Sequence, residues 1–355
     1  MNVHIPGIHF GLEEAAYHAD RSLSNSGILK LRVSPLTYWM NSSLNPDRVE
    51  EETEAKIRGK AFHKRLLEGA EVFKDSYAVK PNPDDYPGLL DGVETLRKRC
   101  EALGLKKNGT LAEMAARIHE VEPNVWLWPL IMAEFEGTVG DRIPIPFKLA
   151  AQIERHAKIV ESHPGTEKAF RGGHSEVSIF WVDDETGVPM KVRVDYLKIK
   201  AAVDIKTFTN PMDLPLDEVV ARNVATNKHM AQAVTYIDGI EQAKALYRKH
   251  GMKVVYGTAP PAAWLDAFAE PAPHAFMFVF LEAGNVPNVR IREIRRTERQ
   301  GASENLYWQA GQAIYRQGIA RFKECLDHYG TELPWVDPQP ARPFVDADFP
   351  LYAFE

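Results

Sequence analysis

The spacing of hydrophobic and polar positions changes several times along this chain. From Leu12 to about Gly69 apolar residues recur at helical spacing. Ser24 and Ser26 are placed to cap a helical segment that begins "GILKLRVSPLTYWMN". "EETEAKIRGKAFHKRLLEG" reads as a second amphipathic helix, stopped by Gly69. "PNPDDYPG" is turn-rich, and two short helical patterns follow around "LGLKKNGT" before a stretch rich in Trp and Pro. From about Pro146 to Ser162 the period is helical again. It then drops to two in "HSEVSIFWV", "MKVRVDYLKI" and "AAVDIKTF", separated by "DDETGVP" and a tight "KAA" link, which predicts an antiparallel meander. Helix is expected at "NVATNKHMAQAVTYIDGI", a further strand at "HAFMFVFLEA", and a long helix from about Arg296 to Tyr329.

These changes of texture divide the chain into an N-terminal helical part (residues 1–80), an insert (81–145), a core (146–330) and a Pro- and aromatic-rich tail (331–355). The fold class expected is α/β (α+β): a central mixed sheet flanked by helices, carrying a small helical insert.

Composition narrows the function classes. The 355 residues are 45% hydrophobic and 26% charged with a net charge of −6, so the chain is not a globally basic nucleic-acid binder. A local basic groove offset by acidic surface remains compatible with DNA as a substrate. No run approaches the ~18 apolar residues of a membrane span, and the first residues lack the charged-then-apolar layout of a signal peptide. The expectation is a cytoplasmic protein with no membrane partner. Two distant cysteines, Cys100 and Cys325, cannot supply an iron–sulfur cluster or a thiolate zinc site, and the 12 histidines form no HExxH pair.

The candidate chemistry lies in the meander. Asp is a poor strand residue, and a buried carboxylate is costly without a cation or hydrogen bonds. Yet Asp195 and Asp204 both sit in strands. Alternation puts Asp204 and Lys206 on one face and Val203, Ile205 and Thr207 on the other. An antiparallel hairpin folds Asp195 back across Asp204, and Glu176 lies on the preceding strand. Carboxylates on neighbouring strands suit a hard divalent cation, and a lysine beside them suits a phosphate in hydrolysis. A surface salt bridge would give the same Asp-x-Lys pattern.

"KVRVDYL" followed by "VDIKT" resembles the PD-(D/E)xK nuclease signature. More closely, the chain resembles the nuclease domain of RecE (exonuclease VIII) and related phage and prophage exonucleases. The match runs through "YHADRSLSNSGILKLRVSPLTYW", "RGKAFHKRLLEG", "HSEVSIFW", "MKVRVDYL", "VDIKT" and "QAVTYIDG". The resemblance implies a restriction-endonuclease-like core in which Asp195, Asp204, the Ile205 carbonyl and His63 hold Mg²⁺, with Mn²⁺ as a substitute. It makes Lys206 the catalytic lysine. Gln232 and Tyr236, at i and i+4, match a Q-x-x-x-Y motif that orients the carboxylates or contacts DNA. Glu176 matches a supporting acidic position, and Arg193 and Thr207 flank the acids as candidate phosphate ligands. Taken singly, His63 also reads as an ordinary helix histidine, Gln232 and Tyr236 as helix-face polarity, and Arg193 as charge balance.

The segment Val93 to Glu120 within the insert resembles a SAP motif, a helix–turn–helix associated with DNA binding. Arg97, Lys98, Lys106 and Lys107 are its candidate phosphate contacts. It departs from the motif in four glutamates and in Leu111, where Lys or Arg is common; a helical hairpin packed on the core is the alternative. The activity the resemblance implies is Mg²⁺-dependent, acting on linear duplex DNA from its ends and degrading one strand 5′→3′ to leave a 3′ single strand. It further implies a ring-shaped homo-oligomer and a RecT-like single-strand annealing partner in recombination. A PD-(D/E)xK endonuclease or end-trimming nuclease is the alternative, followed by an inactive DNA-binding scaffold. The tail "DADFPLYAFE" is expected to pack on the core.

Overall fold

The computed structural model describes residues 3–49, 53–284, 286–298, 302–336 and 343–349. The alternating segments form the strands expected of them. β1 is Gly7–Phe10, β2 Tyr77–Val79, β3 Ile143–Ile145, β4 His174–Val182 and β5 Pro189–Leu197. β6 is Ala201–Phe208, β7 Val255–Gly257, β8 Ala275–Glu282 and β9 Val289–Ile294. Seven of them make one mixed sheet in the order β7-β1-β4-β5-β6-β8-β9. The β4-β5-β6 meander is antiparallel, whereas β6 runs parallel to β8 along its whole length. A mixed α/β architecture with helices on both faces is the fold.

One face packs under the helices His229–His250, Leu306–Tyr329 and Asn25–Leu31, around Trp181, Val192, Phe276 and Phe322. The other face, with Val203, Ile205 and Val279, packs against Phe62 of the helix Glu54–His63 and Ile153 of the helix Phe147–Ser162. β2 and β3 pair in parallel, which ties together the two ends of the segment between them. That segment has its own small core of Leu96, Cys100, Met114, Ile118 and Leu127, built by the helices Val93–Ala102 and Leu111–Val121.

Several elements differ from the sequence expectation. The helix anticipated across "NVATNKHMAQAVTYIDGI" is two, Leu216–Thr226 and His229–His250, because Lys228 takes a left-handed conformation (φ 55°) between them. The last helix begins at Leu306 rather than near Arg296; Val289–Ile294 pairs with β8 instead, and Thr297 bridges Glu304. The Trp- and Pro-rich stretch forms a third insert helix, Trp128–Val139. Between Leu12 and Asn41 the chain makes three short helices. Ser24, not Ser26, caps the second, accepting the Gly27 N–H, while Ser26 hydrogen-bonds to the Ser24 hydroxyl. Trp335, at the start of the tail, is buried against Tyr38; "PLYAFE" at its end lies outside the described residues.

Candidate metal centre and its cleft

Three carboxylates form one row across adjacent strands. Ser175 pairs with Tyr196 and Val177 with Val194, so Glu176 stands opposite Asp195. Tyr196 pairs with Val203, so Asp195 stands opposite Asp204. β5 and β6 are paired at two positions and then part at the two aspartates. In the gap, Asp195 Oδ2 accepts the Ile205 N–H at 2.9 Å, a side chain serving where a main-chain carbonyl would. Glu176 takes a left-handed conformation within β4 (φ 54°). For a residue with a Cβ this costs on the order of 1 kcal/mol and persists where the surroundings enforce it.

His63 closes the group from the end of the helix Glu54–His63, its Nδ1 3.6 Å from Asp195 Oδ2. The helix then loosens into a π-turn, Lys64–Glu68, a distortion that lets the last turn bulge. Among the described residues, His63, Glu176 and Asp195 form the one cluster of His, Cys, Asp or Glu whose ligand atoms all lie within 4.8 Å of one another. Burial, reinforced by the Asp204 and Glu176 charges, holds the Asp195 carboxyl well above the ordinary carboxylate range; His63 and Lys206 pull the other way.

Asp204 lies beside this cluster. Gln232 Nε2 donates to its Oδ1 at 2.5 Å, and the Lys206 ammonium stands 2.6 Å from Oδ2. Oδ2 is buried, with that ammonium as its partner. Gln232 comes from the His229–His250 helix, which reaches the sheet closely because Gly239 faces the Trp181 ring and Val192. Tyr236, one turn on, packs edge-on against Phe276, and burial raises its hydroxyl pKa well above 10, so it stays a neutral donor.

Not all candidate residues converge. Asp195, Lys206, Glu176, Gln232, Tyr236, His63 and Arg193 line one cleft of about 1640 Å³. Arg193 spends its donors internally, on Glu176 Oε2 (2.5 Å), the Leu12 carbonyl (2.7 Å) and the Ser178 hydroxyl (3.3 Å). Thr207 does not line the cleft, and the Ile205 side chain is buried in the opposite core, so only its main-chain atoms can serve the site. Arg97, Lys98, Lys106 and Lys107 are exposed on the insert, away from the cleft; Arg97 pairs with Glu94 and Lys107 with Glu101.

Sequence reading passed over Lys191, although "KVRVD" places Lys191, Arg193 and Asp195 at alternate positions of β5. Lys191 is buried in the cleft wall and donates to the Tyr17 and Asp20 carbonyls, both at 2.7 Å. Burial lowers its pKa to about 8. His229 was also missed. It packs on the Phe278 ring and its Nε2 meets Asn223 Oδ1 at 3.0 Å; burial and the Lys206 charge lower its pKa to about 4.

The residues present fit a divalent cation. The row crowds negative charge that a cation would relieve, and the cluster offers one nitrogen and carboxylate oxygens at compatible spacing. No helix among the described residues is long and apolar enough to cross a membrane.

No protein-family model matches the chain, and no curated protein matches it. Among solved structures, a protein of Eubacterium rectale provisionally named an exonuclease superposes with a TM-score of 0.31 at 12% identity, over 84% of this chain and 98% of that one. SSO0001 superposes with a TM-score of 0.21 at 12% identity, over 65% of this chain and 84% of that one. Likeness at this level carries no functional argument, so function rests on the site.

Proposed function

We propose that this protein is a divalent-metal-dependent phosphodiester hydrolase, a nuclease acting on linear duplex DNA from its ends. The observation that carries the reading is the row Glu176–Asp195–Asp204 across the split between β5 and β6, closed by His63 and flanked by Lys206. A surface salt bridge would not place Asp204 at 2% exposure among three further ionisable groups.

His63, Glu176 and Asp195 would hold the cation, with Asp204 Oδ2 completing the set. When bound, such an ion polarises the scissile phosphate and lowers the pKa of a water. The chain's own groups do the rest. Gln232 fixes the Asp204 carboxylate through Oδ1, leaving Oδ2 directed at Lys206. Lys206 lies where its ammonium can orient the attacking water or offset charge gathering on the phosphate oxygens. Tyr236 stays protonated and offers a hydroxyl to the substrate backbone. Arg193 acts on Glu176 rather than on substrate, holding that carboxylate toward the cluster. The 5′→3′ polarity, ring assembly and annealing partner extend this proposal from the sequence resemblance alone.

The test uses linear duplex labelled at the 5′ or the 3′ end of one strand, with Mg²⁺ or EDTA, beside closed circles and the Asp204→Ala variant. Release of the 5′ label as mononucleotide, with circles intact and the variant silent, is the expected result. Cut circles would move the assignment to an endonuclease. No cleavage with any divalent metal would overturn the catalytic reading.

A further inference from the structure

The helix Glu54–His63 presents basic residues on two sides. Lys56, Lys60 and His63 line the cleft of the candidate metal centre, with Lys64 just beyond the helix end. Arg58 is about 200° of helical turn from Lys56 and from Lys60, and it lines a second groove instead. That groove, of about 480 Å³, runs between this helix and the start of the helix Phe147–Ser162. Its polar wall is Arg58, Lys148, Arg155 and Gln152, with no carboxylate among its lining residues.

Three cations around one small groove repel one another. Glu154 and Glu161 of the helix Phe147–Ser162 are taken by Arg65, at 2.7 and 2.8 Å, and Glu54, one turn before Arg58, forms no ion pair with it. Arg58, Lys148 and Arg155 form no ion pair among the described residues. In a chain with a net charge of −6, such a cluster is a local departure that an anion would stabilise. Guanidinium forks match phosphate oxygens in shape as well as charge.

We propose that this groove takes the phosphodiester backbone of the strand opposite the one at the metal centre. The inference rests on the nuclease reading. An α-helix is about 10 Å across, and the major groove of B-DNA, about 12 Å wide, admits one between its two backbones. The helix Glu54–His63 has basic side chains toward a channel on each side, those on the metal side interleaved with carboxylates such as Glu14 and Glu68, and a duplex straddling it would lay one backbone in each. The metal-side channel receives the strand to be cut, and Arg58, Lys148 and Arg155 hold its complement.

The test compares wild type with the Arg58→Ala/Lys148→Ala/Arg155→Ala variant, measuring anisotropy of fluorescein-labelled duplex and single-stranded DNA in EDTA over a salt series. Each phosphate that a side chain neutralises adds about 0.9 to the log–log salt slope for duplex, so the variant's slope should be smaller by about 2 to 3. Duplex affinity should fall at least tenfold at physiological salt, while single-strand affinity stays within about twofold. Lys148→Ala/Arg155→Ala, which alters exposed positions only, carries the same test with a smaller loss if the triple variant melts early. Unchanged duplex binding, or equal loss on duplex and single strand, overturns the proposal while leaving wild-type cleavage intact. A wild type that neither binds nor cuts DNA overturns both readings.

Discussion

Asp195 Oδ2 accepts the main-chain N–H of Ile205 at 2.9 Å, so one carboxylate both staples β5 to β6 and stands in the cluster with His63 and Glu176. The hydrogen bond fixes the side chain at the point where the strands part. Because the same bond leaves the carboxylate among other acids, the geometry is held at an electrostatic cost. Structural and chemical roles therefore separate under substitution.

Asp195→Asn keeps an oxygen acceptor for the Ile205 N–H and removes the charge. The folded-state pKa of Asp195 is raised, so in the metal-free protein this group favours folding below its unfolded value, about 3.9. That contribution is lost as pH rises through the raised folded value. The variant should match or exceed the metal-free wild type in Tm at pH 8, by the equivalent of about 1–2 kcal/mol, and lack the stability loss between acid and neutral pH. Its activity should fall at least 100-fold. Thermal denaturation at pH 5 and 8 in EDTA checks the first expectation, and duplex hydrolysis the second. A Tm several degrees below wild type at pH 8 would mean that the charge itself is structural.

His63 gives the cluster a nitrogen donor. Imidazole suits Mn²⁺ better than it suits the strongly oxygen-seeking Mg²⁺. Mn²⁺ should therefore raise the Tm at lower concentration than Mg²⁺, and His63→Ala should weaken Mn²⁺ binding by about 10-fold or more while changing Mg²⁺ binding less. A thermal-shift titration with each ion measures both. Equal losses for the two ions would remove the nitrogen-donor preference, and no loss for either would place His63 outside the metal's ligands.

The β4-β5-β6 meander and the polar residues two apart within it were legible because strand alternation reports facing directly. Asp204 and Lys206 do meet, at 2.6 Å. What alternation could not supply is the split at Asp195 and Asp204, which depends on a side chain capturing a main-chain donor, or the positive φ of Glu176. For the same reason Arg193 looked available to phosphate, whereas Leu12, distant in sequence, takes one of its donors. β1, β7 and β9 are three to six residues long, too short for a period to register, and they exist through tertiary pairing. Lys191 was readable in "KVRVD"; its apolar neighbours masked a polar alternation.

His274 provides an acid-sensitive group far in sequence from the cluster of His63, Glu176 and Asp195. Burial, with the Lys244 charge adding to it, lowers its pKa to about 3. A depressed histidine pKa contributes stability that is present above the unfolded value of about 6.5 and is lost as pH falls toward the folded value. The loss is at most about 1.4 kcal/mol per pH unit for one proton. Urea denaturation at pH 7, 5 and 4 should show His274→Gln losing stability with acid less steeply than wild type, whatever its stability at pH 7. Parallel pH profiles would show that His274 takes up its proton as readily in the folded protein as in the unfolded chain.

The packing that carries Gln232 to Asp204 depends on two helices lying close, and Gly311 shows where. A Cβ at Gly311 would stand 2.6 Å from the Met230 carbonyl oxygen and 2.9 Å from its carbon, both main-chain atoms that cannot turn aside. Gly311→Ala must therefore push the helix Leu306–Tyr329 away from His229–His250, two residues before Gln232. Overpacking of this kind costs about 1–3 kcal/mol, against about 1 kcal/mol gained from helix propensity. The expected outcome is a net destabilisation with a further loss of activity as Gln232 shifts from Asp204. Gly137, in the insert helix Trp128–Val139, has nothing within 4 Å of the same added atom. Gly137→Ala should instead gain about 0.5–1 kcal/mol and leave hydrolysis unchanged. Chemical denaturation of the two variants side by side separates close approach from propensity: gains at both positions would mean that the helices can part there without cost.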